Sequence, residues 1–147
     1  MARFLRKEFC LPRKTDSTNP ADWLWIAESD LDGVRLTVTH EVAYYGTQGK
    51  LAEVLEKILK AELIHLGWSL ERTHDLGRLF GELAARQSPI LTSASPLVDG
   101  LNQVYFVSRC PGFDLDDPDW PALSQQVEAV GKLLELVKSR ITPPPTS

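Results

Sequence analysis

Three observations predict an all-α fold, an up-and-down bundle of about five antiparallel helices. Apolar side chains recur at spacings of three and four in separate segments, and no run alternates apolar and polar residues over the length of a strand. The third is size, since 147 residues are about what one hydrophobic core requires. Hydrophobic residues at 43% and charged residues at 24% argue against a disordered or fibrous chain. The organisation expected is a basic arm over 1–18, a helical domain over 19–141 and a flexible tail over 142–147.

The first helix is announced by Asn19, Pro20 and Asp22, which supply a capping side chain, a proline at the first helical position and an acid in the first turn. Trp23, Ala27, Leu31, Val34 and Val38 define its apolar face. Tyr44-Tyr45-Gly46 reads as a break. Leu51, Val54, Leu55, Ile58, Leu59 and Leu63 then form a broad stripe suited to the centre of a bundle. Glu53 with Lys57, and Glu56 with Lys60, have the acid four residues before the base and are expected as supporting pairs on the outer face. Gly67 is the stop.

Thr73 is expected to cap a third helix whose face is Leu76, Leu79, Phe80, Leu83 and Ala84. Gln87 to Pro96, with two prolines and three serines, reads as a loop. Leu97, Leu101, Val104 and Tyr105 indicate a fourth helix ending before Pro111. The four aspartates of 111–119 lie in a turn-rich surface connection. Leu123, Val127, Val130, Leu134, Val137 and Ile141 form the seam of a bundle or dimer helix, which Pro143–Pro145 end.

Several chemistries find no foothold. No His-Glu-x-x-His, Cys-x-x-Cys or Gly-x-Ser-x-Gly motif occurs, so zinc hydrolysis and the elbow-type serine hydrolases drop out, and no metal or cofactor is expected. Asp114, Asp116, Asp117 and Asp119 lack the glycine and glutamate of a calcium loop. Cys10 and Cys110 are too few for a disulfide scaffold and are read as reduced thiols. No stretch of the chain is apolar enough to span a membrane and the first residues do not form an export signal, so a cytoplasmic protein is expected. Net charge is −4. It divides into +4 over residues 1–14, from Arg3, Arg6, Lys7, Arg13 and Lys14 against Glu8, and −8 over the rest. Such an arm can touch phosphate, although solubilising charge at a frayed terminus is the commoner meaning.

Thr73-His74-Asp75-Leu76 is the most informative polar cluster. It can be a helix start with His74 packed sideways against the preceding helix, or His74 can serve as a phosphate donor or general acid beside Lys57 and Lys60. Arg109 either faces a helix C-terminus or holds a phosphate with its planar fork. Trp23, Trp25, Trp68 and Trp120 are expected as core or interface anchors.

Taken in order, these pieces resemble the HEPN domain family, small helical bundles of bacteria and archaea, from about Asp22 to Ile141. The resemblance rests on Ala27-Glu28-Ser29-Asp30-Leu31 and on Glu56-Lys57-Ile58-Leu59-Lys60-Ala61-Glu62-Leu63. Thr73-His74-Asp75-Leu76 with Leu79 follows, then Arg109-Cys110-Pro111, which is similar to a common Arg-Tyr-Pro. It implies a homodimer, often encoded beside a minimal nucleotidyltransferase as a toxin–antitoxin pair, and members that bind nucleotides or serve as that transferase's substrate-binding partner. Many other members are metal-independent ribonucleases, marked by an Arg followed four to six residues later by His near the start of a late helix. Here no histidine follows Arg109; Arg35 and His40 have the spacing but lie in the first helix, about 140° apart around its axis. Glu53 also stands where many relatives have glutamine, and Cys110 replaces the tyrosine.

The function expected is therefore a non-catalytic HEPN-type module that binds a nucleotide, RNA or a nucleotidyltransferase through Lys57, Lys60, His74 and Arg109. The alternatives are a metal-independent ribonuclease using His74 or His40, and a purely structural dimer.

Overall fold

A computed structural model describes residues 14–107 and 110–141. Arg3 to Arg13 of the basic arm, Cys10, Arg109 and the tail from residue 142 lie outside the described residues. Those described form α1 (Pro20–His40), α2 (Tyr44–His65), α3 (Leu76–Ala85), α4 (Leu91–Leu101), the single turn α5 (Val104–Val107) and α6 (Trp120–Ile141), with no strand among them. This is the all-α bundle that the periodicity predicts.

The expected cap starts α1: Asn19 Oδ1 accepts from the amide of Ala21 at 3.0 Å. Trp23 Nε1 donates to the Ser17 carbonyl at 2.8 Å, and the Asp16 amide donates to the buried Asp22 carboxylate at 2.9 Å. The break between α1 and α2 falls at 41–43, earlier than the sequence indicates, and Tyr44-Tyr45-Gly46 form the first turn of α2. Two left-handed residues make the reversal, Glu41 at φ 51° and Ala43 at φ 54°. The Val42 amide reaches back to the Thr37 carbonyl at 3.1 Å. The same closure ends α2, from Trp68 to Leu63 across Gly67 at φ 92°, and α3, from Ser88 to Leu83 across Gln87 at φ 53°.

Helix α2 is the central element and packs against each of the others. Leu51, Leu55, Ile58, Leu59 and Leu63 are fully buried in it. So are polar residues that the sequence placed outside: Glu56 is 7% and Lys60 4% exposed. The Glu56–Lys60 pair exists, but in the interior. Lys57 crosses to Asp30 of α1, and Glu53 takes Lys50 at 3.1 Å.

Three further expectations are corrected. Asp75, not Thr73, caps α3, accepting from the Arg78 amide at 3.2 Å, while Thr73 Oγ1 accepts from the Asp75 amide. The expected loop 87–96 is largely helix: α4 begins at Leu91 and carries Pro96 inside it. Ile90, Ala94, Leu97, Val98 and Leu101 are all buried there, and this apolar period outweighs one lost backbone bond. The single helix expected from Leu97 to Pro111 is interrupted after Leu101, where Asn102 Oδ1 accepts from the Gly77 amide at 3.2 Å and ties the break to α3.

In α6 the predicted seam is buried within this chain from Leu123 to Val137. The helix runs antiparallel to α1: Lys138 meets Glu28 at 3.0 Å, and the Arg35 guanidinium lies over Gly131. Arg140 clamps the fully buried Glu62 with its Nη2 at 2.6 Å and Nε at 2.9 Å. Among the described residues no helix is long and apolar enough to cross a membrane.

Candidate functional site

Two of the polar residues singled out by the sequence, Lys60 and His74, meet at a corner where α1, α2 and the segment leading into α3 come together. Glu56 is the hub. Lys60 Nζ donates to its Oε1 at 2.7 Å, and His74 Nδ1 lies 3.0 Å from Oε2. An ionised carboxylate can only accept, so Nδ1 carries the proton in this contact. Lys60 Nζ also sits 5.3 Å from the ring centroid of Trp23, within the range of a cation–π attraction. The ammonium thus has a carboxylate along one direction and an indole along another, which is what a buried lysine needs to stay charged.

One turn back on α2, Lys57 joins Asp30 of α1, and Lys50 shares the same carboxylate at 3.6 Å. The Lys50 ammonium is held above its ordinary range by its hydrogen bond to Glu53, assisted by the charge of Asp30. The two clusters lie side by side along α2.

Of the four candidate residues, Lys60 and His74 are brought together on Glu56, Lys57 is held by Asp30 in the neighbouring cluster, and Arg109 lies outside the described residues. Their accessibility differs. Lys60 is sealed at 4% exposure, whereas the His74 side chain is 59% exposed and reaches Glu56 with one edge. His74 does pack against the preceding helix, as its first reading had it, and the same contact orients it.

Sequence reasoning missed Glu56 as the joint of the site. Its signal was available: Glu56 and Lys60 stand in a helix whose other positions from Leu51 to Leu63 are mostly apolar all round, so a side chain there has little solvent arc to occupy. Asp30 and Trp23 were missed because their meeting with α2 is tertiary.

Other candidates stay apart. Helix α1 continues through His40, so Arg35 and His40 remain on one regular helix, both exposed. Among the described residues no group of three His, Cys, Asp or Glu side chains could hold a metal ion, and the aspartate loop is solvent-exposed. Cys110 is a free, exposed thiol.

Neither a curated protein nor a solved structure matches the chain. The family model of the HEPN domain does match, over residues 20–140, which takes in α1 through nearly the whole of α6 and every residue of the Glu56 corner. The chain belongs to the HEPN domain family, a family of nucleotide- and RNA-related modules.

Proposed function

We propose that the protein is a non-catalytic HEPN module that binds the phosphate of a nucleotide or an RNA segment at the Glu56 corner. His74 is the solvent-facing donor, and Lys57 and Arg109 are the further phosphate-binding residues of the proposal. The observation that carries the reading is the shared Glu56 carboxylate, which joins Lys60 and His74 in one network while leaving most of the imidazole open to solvent. Lys60 then acts through position: it neutralises Glu56 and holds it against the ring that meets the ligand. A binding role fits because Lys57 and Lys60 are each held in an ion pair, which favours a fixed shape over proton exchange with a substrate. In this reading the protein works as a homodimer beside a minimal nucleotidyltransferase, as one half of a toxin–antitoxin pair.

Calorimetric titration of ATP and of a short single-stranded RNA tests the site. His74→Ala and Arg109→Ala are expected each to weaken binding; if both leave it unchanged, the site assignment is wrong. Co-expression with a neighbouring nucleotidyltransferase tests the partner, a stable complex being expected. The Glu56–His74 contact also suits a second reading, a metal-independent ribonuclease with His74 as general acid or base. RNA cleavage that persists in EDTA and disappears in His74→Ala would replace the binding reading with that one.

A further inference from the structure

At the opposite end of α2 from the Glu56 corner is a cleft of about 280 Å³. Its polar lining is Tyr44 and Tyr45 from the first turn of α2, Gln48 one turn on, Gln103 before α5, and Asp114 and Asp116 from the loop ahead of α6. The two phenol rings stand at 89° to each other with centroids 5.2 Å apart, and Trp120 buttresses Tyr44 edge-on at 5.1 Å. Tyr45 Oη donates to the Asp116 carbonyl at 2.8 Å, which pins the acidic loop to this end of α2.

The lining includes two aspartates and no lysine, arginine or histidine among the described residues. Ring faces are the negative part of an aromatic quadrupole, and tyrosines in a cleft that also has aspartates in its lining suit a cation that bears N–H donors. The amide oxygens of Gln48 and Gln103 add neutral acceptors. Water and a simple metal ion use aromatic walls poorly, whereas a flat or compact nitrogen cation uses walls and carboxylates together. We propose that this cleft binds an organic cation of the guanidinium or primary-ammonium class, its head against Tyr44 and Tyr45 and its N–H groups directed to Asp114 and Asp116. A volume just under the usual range for drug-sized ligands fits a small metabolite or the end of an arginine side chain.

Calorimetry or NMR titration of the full chain with agmatine, with blocked Gly-Arg-Gly peptide and with AMP tests the assignment. Agmatine or the peptide is expected to bind saturably, and the double variant Asp114→Asn/Asp116→Asn to weaken that binding about three- to thirtyfold, the loss of two solvent-touching ion pairs. Both substitutions lie on an exposed loop, and an unchanged circular dichroism melt shows that the fold persists. Stronger binding of agmatine identifies a free small cation as the ligand, stronger binding of the peptide an arginine of another protein, and either upholds the cation site. The proposal is overturned by saturable binding of neither cation, by cation binding that survives the double variant, or by AMP binding that Tyr45→Leu abolishes while the cations do not compete. Since His74 and Lys57 are not in this cleft, His74→Ala leaves cation binding unchanged, and the outcome here is independent of the phosphate site.

Discussion

Replacing Glu56 by glutamine should cost far more than its chemical mildness implies. The substitution keeps shape and one acceptor oxygen, but it removes the only negative charge that the described contacts give to Lys60, at 4% exposure. Breaking one side of a buried ion pair costs about 3–5 kcal/mol, because the remaining charge is left desolvated; the retained amide oxygen and the Trp23 ring recover part of this, so about 2–4 kcal/mol is expected. For a chain of this length each kcal/mol moves the melting temperature by roughly 3–5 °C, giving a fall of about 6–20 °C. Lys60→Met should cost less, about 1–3 kcal/mol, since Glu56 keeps its contact with His74. The double variant Glu56→Gln/Lys60→Met removes both charges and should lie within about 1 kcal/mol of the wild type, because exchanging a buried pair for neutral groups is often neutral or better. Urea denaturation of the four proteins closes a double-mutant cycle with an expected coupling of about 3–7 kcal/mol, the sum of the two single costs when the double variant matches the wild type. Single variants within 0.5 kcal/mol of wild type, or a double variant as unstable as the sum of the two, would refute the buried pair.

Other outcomes follow from local geometry. Ala43→Gly relieves a left-handed backbone at φ 54° that an alanine adopts only at a cost, and should stabilise by about 1 kcal/mol in urea melts despite the added freedom of the unfolded chain. Gly81→Ala acts in the opposite chemical direction to the same effect: it is interior to α3, a Cβ there meets nothing within 4 Å, and about 0.5–1 kcal/mol of helix propensity should be gained. Lys138 is raised above its ordinary 10.5 by its hydrogen bond to Glu28, so its stabilising contribution is complete below pH 10.5 and lost as pH rises through the folded value. The difference between wild type and Lys138→Met should therefore be small and constant from pH 7 to about 10, then shrink in more alkaline melts; a difference that grows with pH would contradict the sign.

The sequence reveals the layout of the fold through its period, and it fails where two periods or two signals compete. Asn19-Pro20 start α1 as read, and the α6 seam is buried as spaced. The serines and prolines of 87–96 obscure α4 because composition speaks for a loop while Ile90, Ala94, Leu97 and Leu101 keep helical spacing through it, and burial of Ile90, Leu97 and Leu101 at about 1.5–3 kcal/mol each exceeds what one proline costs. The reversal at 41–43 has no glycine to mark it; Glu41 and Ala43 take left-handed conformations because the packing of α1 on α2 holds them there. At the candidate site the residue types could be read and their relations could not. An acid four residues before a base has the same spacing on a solvated face as in a core, and what decides between them is whether α1 and the His74 segment arrive to cover it.

That covering also bears on why the pair exists. A Leu or Met pair at 56 and 60 would join α1 to α2 with no charge to desolvate, so the ion pair is poor value as glue. An apolar pair, however, could not fix the tautomer of His74 or hold its ring at 3.0 Å with most of its surface open. The apolar pair Glu56→Leu/Lys60→Met separates these roles: it should keep the stability of the bundle and lose the orientation of His74, so its fold persists while ligand binding at the corner falls. Should it bind ATP or RNA as the wild type does, Glu56 serves the core alone and the corner is not the site.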